Sequence, residues 1–278
     1  PLGKQRTWNR ISWSDGRANF TDNPYWMLNE ITQNDKRHRF FGNIGLTYNF
    51  TDNLYLVGKM YGDIYALTTE DRRAKDSHDT PHYKKYNYDN AAFNYEARLH
   101  YTPKLGDNFS LTGFLGVARA QNKYGYTGVE TRGGLFVPHN YSASNSRERA
   151  KGYTYSSWTR TNSVYGMASL GYKSTAFVEL TGRQDWFSTV SVPIFYPSVT
   201  ASYVFTNSFK NLPSWLSYGK VRAGWAQVGN DASAYVLKTY PTVSETFRRA
   251  PHYVTPNEQN NPDLRPEIKE TKEAGIDL

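Results

Sequence analysis

The chain has 278 residues, of which 16% are aromatic, and tyrosine alone contributes 23 of them. No run of about 18 apolar residues occurs, which excludes a membrane-spanning helix. A transmembrane β-barrel remains compatible, because only every second residue of its strands contacts lipid. The absence of cysteine excludes thiolate metal sites, disulfide frameworks and cysteine nucleophiles. The formal net charge of +8 is spread along the chain without a dense Lys and Arg cluster, so we expect no nucleic-acid partner.

Alternating apolar and polar residues predict β-strands along most of the chain. The alternation is clearest where Phe93, Tyr95 and Leu99 share one face and Glu96 and Arg98 the other. A tilted β-strand needs roughly 9–11 residues to cross a bilayer, and most of the predicted strands are at least that long. Strands of soluble proteins average about 5–6 residues. The predicted strands lie at about 38–50, 53–65, 90–102, 109–120, 160–172, 175–186, 195–206, 218–228 and 267–278.

The connections between these strands alternate between short and long. The short ones span residues 51–53, 103–108, 173–174 and 207–217, and the long ones span about 68–89, 121–159, 187–194 and 230–266. Outer-membrane barrels sort their connections in this way, with short turns in the periplasm and long loops outside the cell. About nine strands would leave two unpaired edges, which lipid does not tolerate, so we expect further strands of the parent chain to complete the barrel.

Aromatic residues collect beside the short connections on the apolar face of each predicted strand. Rings at a constant height on the outer face of a barrel are selected by the headgroup region of a bilayer. We therefore predict a membrane girdle formed by Tyr48, Phe50, Tyr101, Tyr172, Tyr203 and Phe205.

The charged residues do not form a recognisable catalytic or metal-binding pattern. Glu179, Arg183 and Asp185 share one strand face and are interpreted as part of a polar barrel wall. The histidines of a loop at 76–82 are separated by Pro81, which prevents the continuous helix that would present both on one face, so we interpret this loop as a solvated polar tip. No nucleophile elbow, phosphate loop or dinucleotide fingerprint occurs, and we expect neither an enzyme nor a cofactor.

Four segments resemble the SusC/RagA group of TonB-dependent receptors. The second of them carries its serine one residue later than the family's Arg-x-Asp-x-Ser stretch, and the fourth resembles a block found in TonB-dependent receptors generally. These segments are residues 8–26 with the strand opening at 39–43, residues 183–202, residues 220–230, and residues 261–278.

The resemblance implies an all-β fold: a partial antiparallel transmembrane β-barrel, belonging to a plugged barrel of roughly twenty-two strands. On this basis residues 1–36 are expected to be a long extracellular loop region and residues 37–278 the partial barrel, with the plug and the TonB-binding segment upstream of the matching region. The implied partners are a SusD-like surface lipoprotein, the TonB complex, outer-membrane lipid and lipopolysaccharide.

The same resemblance implies import of an oligomeric nutrient, either glycan or peptide, at the bacterial outer membrane. A receptor for siderophores or cobalamin-like ligands is an alternative within the same fold. An alternative from another class is a secreted all-β domain that binds glycan. Aromatic faces stack on sugar rings and peptide side chains, and polar groups fix orientation. The candidate substrate contacts are Tyr153, Tyr155, Trp158, Arg183, Asp185 and Trp186.

Overall fold

The computed structural model describes residues 8–209, 213, 216–247 and 250–278. Long strands account for most of these residues, and within them no helix combines the length and apolar character needed to cross a membrane. The elements in chain order are α1 Pro24–Glu30, β1 Ile31–Thr51, β2 Leu54–Arg73, β3 His82–Tyr101, β4 Phe109–Leu135, β5 Ser146–Tyr172, β6 Ala176–Phe187, β7 Ile194–Tyr203, β8 Lys220–Asn230, β9 Thr242–Phe247, β10 Ala250–Val254 and β11 Glu267–Asp277.

Nine of the strands form one antiparallel sheet in the order β1-β2-β3-β4-β5-β6-β7-β8-β11. β9 and β10 form a separate two-stranded hairpin within the connection between β8 and β11. Each neighbour in the sheet is the next long strand of the chain, so the topology is a meander. The register is continuous at its last pair, where Glu267 lies opposite Asn230 and Asp277 opposite Lys220. The predicted all-β, antiparallel partial barrel is confirmed.

The nine predicted strands are all present, but several are longer than predicted at the ends that face the long connections. β4 continues to Leu135 and β5 starts at Ser146, so the connection predicted at 121–159 is mostly strand. β1 begins at Ile31, inside the range expected to be loop, and the hairpin of β9 and β10 lies in another predicted loop. These extensions carry polar and tyrosine side chains without an apolar face, so backbone pairing continues after the amphipathic signal ends.

The described residues form two compact units by their contacts. The first contains the described residues of Pro1–Phe41, Asp63–Ala92 and Lys123–Ser157, and the second contains Gly42–Gly62, Phe93–Asn122 and Trp158–Leu278.

The second unit has one apolar face that stays exposed. Ile44, Leu46, Leu115, Val164 and Leu180 are each between 48% and 77% exposed. Among the described residues no large side chain is fully buried, so no second layer of structure covers these groups. A soluble β-sandwich buries one face of each sheet against the other, so this arrangement does not favour the secreted-domain alternative.

Five of the six predicted girdle residues lie near strand ends and are exposed, although the connection that follows Tyr203 runs from 204 to 219 and is not short. Tyr48 and Phe50 are 4.9 Å apart between ring centroids, and Tyr172 contacts Phe109 at 5.0 Å. Tyr101 and Tyr203 are also exposed. Phe205 was predicted to lie within the strand at 195–206, and this prediction is wrong, because β7 ends at Tyr203.

Phe205 lies in a 3-10 turn after the end of β7 and is half-buried. Its ring covers Gly219, where a β-carbon would lie 2.1 Å from a ring atom. The alternation that suggested a girdle position ends at Tyr203, because Val204 already leaves the strand.

In the first unit, the segment before β1 packs on the connection between β2 and β3. Trp26 of α1 is 7% exposed, and its Nε1 donates to Ser77 Oγ at 2.9 Å. The backbone N–H of His78 donates to Asp22 Oδ1 at 2.6 Å. α1 itself begins with an Asn23 cap, whose side chain accepts from the Tyr25 N–H, followed by Pro24.

An exposed turn precedes this packed segment. Arg17 Nε donates to Asp15 Oδ1 at 3.0 Å, and this bond is the main reason that the pKa of Asp15 falls to about 2. The pair lies within the first segment that resembles the receptor family, and it closes the turn there.

We predict that Trp26→Ala in the parent protein loosens the connection at 74–81. The substitution removes a large buried side chain and leaves Ser77 without its donor, which costs about 3–5 kcal/mol locally. Hydrogen exchange of residues 74–81 should accelerate at least tenfold. Tyr25→Ala is the matched control, because Tyr25 is in the same helix but 79% exposed. Equal exchange in both variants would contradict this role of Trp26.

Candidate functional site

Six tyrosines of β3, β4 and β5 form a continuous aromatic surface in the first unit. We call this group the tyrosine surface: Tyr86, Tyr88, Tyr124, Tyr126, Tyr153 and Tyr155. Tyr126 lies at its centre, with ring centroids 5.6 Å from Tyr88, 6.1 Å from Tyr86 and 5.7 Å from Tyr155. The rings are partly exposed, so their faces are available to a ligand.

Alternation along the strands explains why these residues meet. The two members in each strand are two positions apart, with one residue between them, and residues at that spacing share a face of a strand. Pairing of the strands then brings the three pairs side by side.

Gly128 and Glu130 of β4 fix one end of the tyrosine surface. A β-carbon at Gly128 would lie 2.2 Å from a ring atom of Tyr86, so the ring packs directly on the backbone there. The Tyr86 hydroxyl donates to Glu130 Oε1 at 2.5 Å, and the Tyr153 hydroxyl donates to Oε2 at 3.0 Å. One carboxylate therefore orients two rings of different strands.

A pocket of about 500 Å³ adjoins this end of the surface. Its lining includes Asp35, Glu70 and Asp71 on one side and Lys84 with Glu130 on the other. Two of these acids have close nitrogen neighbours: Glu70 lies 3.0 Å from Lys85 Nζ, and Asp71 lies 3.3 Å from His82 Nε2. The pocket is thus polar and of mixed charge, suited to hydrogen-bonding groups of a ligand.

The structure places Tyr153 and Tyr155 in the tyrosine surface but not Trp158. Trp158 follows Tyr155 by three residues in the uninterrupted strand β5, so its side chain points to the opposite face. Its indole is 4.9 Å from the guanidinium carbon of Arg160.

Arg183 and Asp185 lie together on the polar face of the second unit. Arg183 Nε donates to Asp185 Oδ1 at 2.8 Å, and an Arg183 Nη donates to Ser163 Oγ at 2.9 Å. Asp185 and Ser163 are only 5% and 4% exposed, and the hydrogen bonds of Arg183 to both residues link strand β5 to strand β6. A neighbouring group on the same face joins Glu96, which accepts from the Tyr165 hydroxyl, to Arg98 at 2.8 Å.

Trp186 does not belong with Arg183 and Asp185. It is the next residue after Asp185 in β6 and therefore points to the apolar face, where it is 45% exposed beside Val164 and Ile44. The grouping of these three residues by proximity in sequence overlooked the reversal of side-chain direction at each step of a strand.

The sequence interpretation missed Tyr86, Tyr88, Gly128 and Glu130. The two tyrosines lie in a segment predicted to be loop, where no face can be assigned. The spacing Tyr86-x-Tyr88 matches Tyr124-x-Tyr126 and Tyr153-x-Tyr155, and this repeated pattern was the available signal.

The described residues contain no group of three or more His, Cys, Asp or Glu side chains arranged to hold a metal ion. The two histidines of the predicted polar loop have different neighbours. His78 Nδ1 lies 3.3 Å from the Ala18 carbonyl oxygen, whereas His82 at the start of β3 lies near Asp71.

We predict that Gly128→Leu displaces the Tyr86 ring and breaks its hydrogen bond to Glu130. Overpacking of this kind costs about 1–3 kcal/mol, visible as a lower unfolding temperature and as a moved ring in a structure of the variant. Gly152→Leu is the matched control in the same unit, because no atom lies within 4 Å of the position of its β-carbon. An unmoved Tyr86 ring in Gly128→Leu would contradict the contact.

Comparisons with known proteins identify the family of the chain. The family model of the TonB dependent receptor-like β-barrel matches residues 2–278. The chain matches no curated protein sequence. Its structure is similar to the RagAB peptide transporter, with a TM-score of 0.82 and 17% identity over 95% of this chain and 30% of that chain. It is also similar to the RagAB peptide importer in its 'closed-closed' state (TM-score 0.80, 16% identity, 93% and 30% covered).

The 'open-open' state of the same importer gives a TM-score of 0.79 and 17% identity, with 95% of this chain and 30% of that chain covered. The chain thus spans about 30% of the length of the chains it resembles, and at this identity the likeness shows the fold. The predicted resemblance to SusC/RagA-type receptors is confirmed. The chain belongs to the TonB-dependent receptor β-barrel family.

Proposed function

We propose that the chain is part of the barrel of a TonB-dependent importer that takes up oligomeric nutrients, with peptide as the favoured substrate. The observation that carries the proposal is the exposed apolar face of the sheet, opposite a face of paired charges, in a chain of this receptor family. The family is located in the outer membrane of Gram-negative bacteria, and we place this protein there.

The two faces fit a lipid environment on one side and a hydrated lumen on the other. Groups such as Leu46, Leu115 and Leu180 are more than 50% exposed, which is costly in water and favourable in hydrocarbon. Glu96, Arg98, Arg183 and Asp185 are paired on the opposite face, where water or the plug of the parent protein would surround them.

The direction of the barrel follows from its connections. Thr51–Asn53 and Lys173–Ser174 are short, with exposed aromatic residues beside them, and we assign them to the periplasmic side. The tyrosine surface lies on the strand extensions that lead to the long connections, and we assign these extensions to the extracellular side.

The tyrosine surface would make the first contacts with the substrate. Tyrosine offers a large rigid face and a hydroxyl at low entropic cost, which suits side chains and backbone amides of a peptide. Similarity to the RagAB peptide transporter favours peptide over glycan and over siderophore-type ligands. We assign no enzymatic activity, because the family consists of receptors and transporters.

The proposal includes two protein partners. A SusD-like lipoprotein would cover the extracellular mouth, and the TonB complex would supply energy through a plug elsewhere in the parent protein. The similarity to the RagAB peptide transporter supports the first of these partners. Remaining strands of the parent would complete a barrel of roughly twenty-two strands.

We predict that the double substitution Tyr126→Ala and Tyr155→Ala in the parent protein weakens binding of an oligopeptide pool. Loss of two central aromatic contacts should cost about 2 kcal/mol, which is roughly thirtyfold in Kd. Binding would be measured calorimetrically in detergent, and uptake of labelled peptide would be measured in cells with and without a functional TonB complex.

Tyr48→Ala is the matched control, because Tyr48 is exposed on the apolar face and should leave peptide binding unchanged. Maltooligosaccharides serve as the second ligand class. If only these oligosaccharides bind, the proposed substrate class changes from peptide to glycan. Uptake of both classes without TonB would contradict the importer itself.

A further inference from the structure

The apolar face of the second unit contains a groove of about 650 Å³. Ile44, Met60, Val117 and Val164 form its walls. Gly58 also lines the groove and has no atom within 4 Å of the position that a β-carbon would take. The missing side chain leaves an open channel between larger neighbours, of a shape that suits an apolar chain rather than a flat surface.

One end of the groove is basic and aromatic. Arg119, Asn162 and Trp186 contribute to its lining there. Arg160 shares the face of Asn162, two residues along β5, and its guanidinium stacks on Trp158 at 4.9 Å. Within the part of the chain that the structure describes, Arg160 Nε donates to no acceptor.

The acidic residues nearby do not neutralise these arginines. Glu96 is the acidic residue of the groove lining, but its carboxylate binds Arg98 and the Tyr165 hydroxyl on the polar face. Asp185 of the neighbouring strand is bound to Arg183 on that same polar face. Arg119 and Arg160 therefore present positive charge beside an apolar groove.

The order of residues along the strands gives the groove a direction. β4 and β5 are joined by the connection at 136–145. In β4, Arg119 lies closer to this connection than the apolar Val117. In β5, Arg160 and Asn162 lie closer to it than the apolar Val164. With the assignment of long connections to the cell exterior, the basic end lies at the outer headgroup level. Tryptophan at that level is typical of membrane interfaces.

We infer that the groove binds lipopolysaccharide of the outer leaflet, with an acyl chain between Gly58 and Val164 and a lipid A phosphate at Arg119 and Arg160. Guanidinium groups bind phosphate oxygens through paired, charge-assisted hydrogen bonds. A lipid with an anionic headgroup above apolar chains therefore matches a groove whose basic end lies above its apolar walls. The inference rests on the proposed outer-membrane function.

The test is retention of lipid A by the purified parent protein in detergent, measured by native mass spectrometry. The probes are bisphosphorylated lipid A, the same lipid without phosphates, and phosphatidylglycerol. The double variant Arg119→Gln and Arg160→Gln should retain bisphosphorylated lipid A roughly 25-fold less well, at about fivefold per arginine near a membrane surface. The dephosphorylated lipid should bind wild type and variant equally.

Two further variants control for charge and for the groove. Lys173→Gln removes a cation 5.3 Å from the Tyr172 ring at the other end of the strand, and retention should stay within about twofold of wild type. Gly58→Leu fills the groove without a clash and should weaken retention of lipid A with or without phosphates.

The lipopolysaccharide site would be overturned if the arginine variant retained bisphosphorylated lipid A as well as wild type does. It would also be overturned if wild type retained phosphatidylglycerol as well as bisphosphorylated lipid A. Both results leave peptide uptake intact, so they are distinct from failure of the proposed importer. A protein that stays soluble and monomeric without detergent would instead overturn the outer-membrane function itself.

Discussion

The structure depends on one constraint: successive side chains of a strand point in opposite directions, while its backbone must be paired on both sides. In the second unit this constraint separates exposed apolar groups such as Leu46 and Leu180 from the ion pairs of Glu96 with Arg98 and Arg183 with Asp185 on the other face. A single sheet can then meet hydrocarbon on one face and water on the other. Under the proposed membrane location no second layer is needed, because lipid takes the place of a packed core.

The same constraint decided which features could be predicted from the sequence. Within the membrane-length part of each strand the apolar face has a period of two, so the nine long strands were predicted correctly. Five of the six predicted girdle aromatics lie exposed near strand ends, and their place in a membrane girdle stays a prediction. Beyond the membrane-length part both faces carry polar and tyrosine residues, and the pattern gives no signal that β4 continues to Leu135. The girdle prediction for Phe205 is wrong for a local reason, because the chain turns at Val204 and the Phe205 ring covers Gly219.

The candidate site was less predictable, since it is assembled from three strands rather than from one segment. Tyr153 and Tyr155 were predicted as substrate contacts, and the structure places them against Tyr86 of β3 and Tyr126 of β4. The pairing of three strands that creates this contact is not visible in the composition of one segment. Trp158 and Trp186 were grouped with neighbours in sequence, although an odd spacing places each on the other face. On that face they flank the groove and arginines for which we infer a lipid, so under the proposed function the same strands would contact both substrate and membrane.

The most direct test of this account is the collision accessibility of single spin labels along 93–101 of the parent protein in liposomes. The chain contains no cysteine, so each label has one site in this region. The account predicts that accessibility to oxygen alternates with a period of two, with maxima at Phe93, Tyr95, Ala97, Leu99 and Tyr101. A water-soluble nickel reagent should show its maxima at the intervening residues. The same accessibility at every position, or oxygen maxima at Glu96 and Arg98, would contradict it.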